Sequence, residues 1–353
     1  MERFHFESAR LRVRFGTGSF AHLPEEVERL GATRVLLLTT PQQAALADRA
    51  QELLGPSAVA RFTGAAMHTP VEVTAQAMAL VEAERVDGVV ALGGGSTIGL
   101  GKAIALRTAL PHLVVPTTYA GSEVTPILGQ TEGGRKTTLR DLRVQPNAVL
   151  YDVDLTLTLP PAASATSGLN AIAHAIEALY APDGNPLTAL MAEEGIRGLA
   201  AALPRIVADP EDRPARAEAL YGAWLCGLCL GQVGMALHHK LCHTLGGSFG
   251  LPHAETHSVV LPHAVAYNSV ATEAMARLLR ALGAEGDPAL AVHALAVRLG
   301  APTSLRALGM AEEDIARAAE IAASNPYPNP RPIARAPIEA LLRRAWEGAP
   351  PVP

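Results

Sequence analysis

Imidazoles are the first residues in this chain whose type and spacing point to chemistry. Four of its twelve histidines fall in the segment HHKLCHTLGGSFGLPH, from His238 to His253. His239 and His243 are four residues apart, and so are Asn170 and His174 in SGLNAIAHAIEALY (167–180). On helices each pair shares one face. His253 follows after a glycine pair. A lone histidine on an apolar helix is ordinarily a satisfied core residue. Two pairs at helical spacing plus a third element point instead to a working cluster of His174, His239, His243 and His253, able to hold a cation, move protons or stabilise an oxyanion. His238 projects about 100° from His239 on a helix, and structural and functional roles are equally open to it.

A second signal is GVVALGGGSTIGLGKAIAL (88–106). An apolar strand ends at Leu92, glycines let a ligand approach the backbone, and Ser96 and Thr97 open a helix whose free N–H groups would face an anion. A dinucleotide pyrophosphate fits at Gly94, Gly95 and Ser96. The run is neither a strict GxGxxG nor a P-loop, because Lys102 is followed by Ala103. The loop VVPTTYAGSEVTP (114–126) offers Thr117, Thr118 and Ser122 to a nicotinamide amide or to phosphates, and Lys136 downstream adds a charge. An ordinary Ser/Thr turn would look the same. GTGSFA (16–21) satisfies GxGxxA, but the next strand ends in Thr39 and Thr40, where an acid would hold a ribose. It reads as a plain turn.

These residues need a scaffold. Up to about residue 155, the short apolar runs 34–40, 86–96, 112–118 and 147–152 alternate with helix-length segments, the pattern of βα units and a parallel sheet. From there on, alanine- and leucine-rich segments at a 3.6-residue period predict helices. The expected architecture is an α/β dinucleotide-binding domain over 1–155 and an all-α catalytic domain over 156–353. A chain of 353 residues exceeds the usual limit for one core. Its net charge of -5 is spread along the sequence without a basic cluster, which argues against nucleic acid. No segment resembles a membrane span or a signal peptide, so a cytoplasmic protein is expected. Cys226 and Cys229 form a CxxC in wholly apolar surroundings, the setting of buried reduced thiols rather than of a redox or zinc site.

The order GGGS, PTT with SE, a glycine-initiated helix ending HAIEAL, then H-x3-H-x-LGG and PH, resembles the iron-containing alcohol dehydrogenase family over nearly the whole chain. SGLNAIAHAIEALYAP, HHKLCH and NPYPNPRP resemble its maleylacetate reductase branch. The resemblance implies the dehydroquinate synthase-like fold of that family, a catalytic cleft between the two domains, NADH or NADPH as cofactor, and a homodimer. It places the family's metal ligands, an Asp and three His, at Asn170, His174, His239 and His253, and puts His243 beside the substrate. The acid that selects NADH in many members corresponds to Thr40, and the PTTYAGSE loop is one residue shorter than the family form.

Asn170 in place of Asp takes the one formal negative charge out of the ion's first shell. The expectation is therefore that a metal is not required and that Asn170 contacts substrate. Reducing a simple carbonyl leaves a localised alkoxide, which a Lewis acid stabilises strongly. Reducing the double bond of an enone leaves a delocalised enolate, for which protonated imidazoles suffice. The implied reaction is reduction of 2-maleylacetate to 3-oxoadipate, a step of aromatic compound degradation, with His243 as oxyanion partner or proton donor. Arg331, in the rigid loop SNPYPNPRP (324–332), is the expected cation for the dicarboxylate. A metal-dependent alcohol dehydrogenase of the same family is the alternative, and a non-catalytic nucleotide sensor is a more distant one.

Overall fold

The computed structural model describes residues 11–133, 135–325 and 327–352, with every side chain of these except Arg135 and Lys136. They form two compact units that divide between Leu159 and Pro160. The expected boundary after residue 155 falls short, because the single turn Val153–Thr156 stays with the strand that precedes it.

The first unit is built on strands β1 (Arg12–Phe15), β2 (Val35–Leu38), β3 (Ala58–Phe62), β4 (Gly88–Gly93), β5 (His112–Pro116), β6 (Ile127–Glu132), β7 (Arg135–Arg140) and β8 (Ala148–Tyr151). Six of them make one parallel sheet in the order β1-β8-β5-β4-β2-β3, while β6 and β7 pair as a separate antiparallel hairpin. Helices α1 (Leu23–Arg29), α2 (Ala44–Leu54), α3 (Val71–Ala83) and α4 (Gly95–Thr108) lie between strands in the chain. Every residue of β2, β4, β5 and β8 is buried, as continuous apolar runs covered on both faces must be. From β2 the chain leaves towards β3 on one side, and from β4 it leaves towards β5 on the other. Such a reversal opens a crevice at the strands' carboxyl ends, the usual ligand site of an open α/β sheet. Thr40 and the Gly93–Ser96 turn sit at that crevice.

The second unit is helical: α5 (Pro161–Leu179), α6 (Pro186–Ala208), α7 (Arg213–Gln232), α8 (Leu237–Phe249), α9 (His253–Tyr267), α10 (Thr272–Leu282), α11 (Pro288–Arg298), α12 (Asp314–Ala323) and α13 (Arg335–Glu347). Proline in the first turn, where its missing N–H costs nothing, starts α5, α6, α7 and α11. α6 and α7 cross where neither tolerates a side chain: a Cβ on Gly195 would lie 2.7 Å from Cys226 Sγ, and one on Gly222 would lie 2.9 Å from the Gly195 carbonyl. That close crossing is why the CxxC is core. Burial pushes Cys226 well above the usual thiol range and Cys229 up to about 12. Among the described residues no single helix is long and apolar enough to cross a membrane.

Candidate functional site

α5, α8 and α9 bring the histidines together. His174 and His239 have ring centroids 4.9 Å apart, His239 and His243 6.2 Å, and His243 and His253 stack at 6.5 Å. His238 joins them at 5.1 Å from His239, and so does His257, 4.3 Å from His253, 4.8 Å from His238 and 5.2 Å from His239. His257 lies one helical turn beyond His253. Its i,i+4 spacing in HAETH repeats that of the other pairs and could have revealed it.

The residue that organises the cluster is Glu177, near the end of α5. Its Oε2 accepts from the Ala236 N–H at 2.9 Å and its Oε1 from the His238 N–H at 2.8 Å. The carboxylate thus satisfies N–H groups at the start of α8 that the helix itself leaves without partners. The same Oε2 receives His239 Nδ1 at 2.7 Å. A carboxylate only accepts, so Nδ1 carries a proton, and in the neutral imidazole Nε2 holds the lone pair. Burial pushes Glu177 up, but the His239 hydrogen bond, the neighbouring His239 and His238 and the Ala236 N–H outweigh it, leaving the carboxyl below its ordinary value and ionised.

Of the imidazoles expected to be cationic, His174 is not, and neither are its neighbours His238 and His257. Burial first, and then the mutual repulsion of the imidazoles, holds His174 and His257 well below the usual histidine range, while His238 falls to about 4. All three are neutral near pH 7. His243, by contrast, is exposed. Several buried polar atoms of the cluster have no hydrogen-bond partner among the described residues: Asn170 Oδ1, His174 Nδ1, His238 Nδ1, His239 Nε2 and both ring nitrogens of His257. Such atoms mark a place for a ligand or an ion.

Arg331 does not join the cluster. Its guanidinium stacks 4.6 Å from the Tyr267 ring and lines a separate cavity with His263, Arg344 and Val352. Tyr267 follows His257 by ten residues along α9, a rise of about 15 Å. Asn329 ties the loop down: it donates to the Arg331 carbonyl and to Asn268 at the end of α9, and accepts from the Leu237 N–H at the start of α8.

In the strand-rich unit, Gly94 is the N-cap of α4, and Gly95 and Ser96 open its first turn. A Cβ on Gly95 would meet nothing within 4 Å, whereas one on Gly94 would come 2.8 Å from Thr118 Cγ2. The helix end is therefore open over Gly95 and closed behind Gly94. Thr118 Oγ1 and Ser122 Oγ are buried without partners among the described residues, but Thr117 Oγ1 already accepts from Gln43 Nε2 at 2.7 Å. Gln43, just past Thr40, also fills the space beside Gly93 that a side chain there would take. Lys102 is the residue whose role the sequence hid. Its buried amine donates to the Ser122, Thr125 and Ile127 carbonyls and to Thr125 Oγ1 at 2.6–2.9 Å, tying the Thr117–Ser122 loop to α4. Burial lowers that amine to about 7, against the pull of Glu123. The Lys136 side chain lies outside the described residues. The GTGSFA turn is occupied by the chain itself: Asp152 accepts from the Gly18 and Phe20 N–H groups at 3.0 and 2.8 Å.

The model of the iron-containing alcohol dehydrogenase matches residues 11–153, and that of the C-terminal region of the Fe-containing family matches 164–346. The chain belongs to the iron-containing alcohol dehydrogenase family. It is 56% identical over 352 residues to a maleylacetate reductase of Rhizobium sp. strain MTP-10005, covering 99% of this chain and all of that one. A solved putative alcohol dehydrogenase from Ralstonia eutropha JMP134 superposes with a TM-score of 0.98 at 58% identity, over 99% of this chain and 100% of that one. A solved maleylacetate reductase from Agrobacterium tumefaciens does so at 0.96 and 55%, with the same coverage.

Membership in an iron-containing family gives no support to the expectation that a metal is dispensable. The ligand set carried over by resemblance nevertheless fits an ion poorly here. Asn170 offers an amide oxygen instead of a carboxylate. Among the described residues, the group whose ligand atoms converge, all within 4.8 Å of one another, is His238, His239 and His257, and it omits His174 and His253.

Proposed function

We propose that this member of the iron-containing alcohol dehydrogenase family reduces the carbon–carbon double bond of maleylacetate to give 3-oxoadipate, using NADH or NADPH. The observation that carries the reading is identity above half, over essentially the full length of both chains, with maleylacetate reductases of Rhizobium and Burkholderia cepacia. The geometry supports a nicotinamide dinucleotide in the first unit. An open helix N-terminus at Gly95 and Ser96, at the reversal point of a parallel sheet, suits its pyrophosphate. Thr40 at the end of β2 neither repels a 2'-phosphate nor holds it, so both cofactors serve.

When bound, the dihydronicotinamide supplies a hydride. It adds to the alkene carbon beside the terminal carboxylate, the electron pair moves to the ketone oxygen, and a proton is taken up at the carbon next to that ketone. The protein's part is to stabilise the enolate oxygen and deliver the proton. Glu177 fixes the orientation of His239 and keeps its Nε2 directed into the imidazole cluster. His174 and His257, being neutral, line the cluster without adding charge to it. His243, at the solvent side of the cluster, is the proton donor. General acid catalysis of this kind contributes roughly 10²- to 10⁴-fold. His243→Asn should therefore lower kcat by that order while KM for NADH stays within about twofold. The test is NADH oxidation with maleylacetate, with 3-oxoadipate identified by mass, beside a panel of simple alcohols with NAD+. Turnover of alcohols without turnover of maleylacetate would overturn the reading.

A further inference from the structure

We infer that Asn329 is a positioning residue: from the proline-patterned loop it holds the first turn of α8, and through that turn the direction in which His239 presents its ring. Pro328 and Pro330 flank it, so its backbone is stiff on both sides. Its side-chain amide is used completely. Nδ2 donates to Asn268 Oδ1 at 2.7 Å and to the Arg331 carbonyl at 2.6 Å, while Oδ1 accepts from Asn268 Nδ2 at 3.0 Å and from the Leu237 N–H at 3.3 Å. Two donors and two acceptors are all that an amide has. Turning it over would set its NH2 group against the Leu237 N–H, so only one orientation satisfies the site.

The Leu237 N–H is the contact that matters for the cluster. It lies between the Ala236 and His238 N–H groups, both held by Glu177, and all three are groups that a helix start leaves without partners of its own. α8 therefore begins on two side chains, one from α5 and one from the loop, with His239 in the turn they hold. The loop is also joined to Glu177 itself. Asn268, at the end of α9, donates to the Tyr180 hydroxyl at 3.3 Å, and Tyr180, at the end of α5, donates to Glu177 Oε1 at 3.4 Å. One run of hydrogen bonds thus ties the ends of α5 and α9 to the start of α8, and these are the three helices that carry the imidazoles. The Tyr267 hydroxyl also fastens the loop, donating to the Pro332 carbonyl at 2.7 Å, but that bond does not reach α8.

The consequence for turnover rests on the proposed reaction, whereas the consequence for α8 does not, so the test reads both. Asn329→Leu keeps the bulk and removes every one of these bonds. In the full-length protein, amide exchange followed by mass spectrometry should speed by about tenfold or more over 236–241 and stay within about threefold in α6 and in the strand-rich unit. With maleylacetate, kcat should fall by about tenfold or more, because a small misplacement of a catalytic group is costly, while KM for NADH stays within about twofold. Arg331→Met changes the same loop without touching α8, and should leave exchange and kcat within about threefold. Asn329→Ser takes the place of Asn329→Leu if that variant does not fold. Wild-type exchange over 236–241 in a folded Asn329 variant overturns the inference. So does faster exchange spread evenly over the chain, an unchanged kcat, or an equal effect of Arg331→Met. If wild type does not turn over maleylacetate, the proposed reaction has failed, and the exchange arm decides the inference alone.

Discussion

Placing a side chain on Gly95 separates cofactor binding from folding. A Cβ there meets no heavy atom within 4 Å, and Gly95 stands at the first position of α4 with Gly94 as its N-cap. The branched side chain of Gly95→Val would therefore project into the open space above the helix end, where a pyrophosphate would approach the N–H groups of Gly95 and Ser96. Two hydrogen bonds to a charged ligand are worth about 1.5–3 kcal/mol each. If the phosphate slides partly aside, the loss is smaller. A rise in Kd for NADH of at least tenfold, about 1.4 kcal/mol, is the minimum consistent with this placement. The fold should be indifferent, since valine is no worse than glycine in a helix. The assay is fluorescence titration of NADH beside a thermal melt. Gly94→Ala is the contrast: its Cβ lies 2.8 Å from Thr118 Cγ2, so it should lower Tm. Unchanged NADH affinity in a Gly95→Val protein with unchanged Tm would refute the pyrophosphate placement.

Thr40→Asp should shift kcat/KM towards NADH over NADPH by about tenfold or more, since an acid repels the 2'-phosphate and accepts from the ribose hydroxyl; no shift would remove Thr40 from the ribose site. Asp152→Asn weakens the carboxylate that accepts from Gly18, Phe20 and Asp154, so it should cost about 1–3 kcal/mol of stability in urea melts and leave NADH affinity alone. A change in affinity would mean that the GTGSFA turn does touch the cofactor. Cys226, Cys229 and Cys242 are buried, so a thiol reagent at pH 8 should label none of them until denaturant is added. Fast labelling of Cys226 or Cys229 in the native protein would contradict the packed α6–α7 crossing.

The strands were legible because a sheet covered on both faces writes itself as uninterrupted apolar runs such as VLLL (35–38) and HLVVP (112–116). The pairs Asn170 with His174 and His239 with His243 could be picked out because helical spacing is local, whereas His253 entered only as the element after a glycine pair. Glu177 was not. It stands three residues from His174, and its role depends on α8 starting beside the end of α5, 59 residues further on for the Ala236 contact. Lys102 looked like a failed P-loop lysine, since nothing local says that its amine turns inward to four acceptors. Arg331 was misjudged for the opposite reason. Proline spacing reveals that a loop is stiff, but carries no information about which way it points.

The double use of Glu177 restricts what mutation can do to this site. The same two oxygens begin α8 and aim His239, so the helix cannot be started by some other cap without releasing the imidazole, nor the imidazole re-aimed without unravelling the first turn of its own helix. Substrate preference in a descendant or a designed variant must therefore be sought at His243, His253 or Asn170, whose surroundings can vary one at a time. Glu177 and His239 would have to change together, with a new helix start already in place. A library that randomises positions singly will find Glu177 immovable, although no substrate atom need ever touch it.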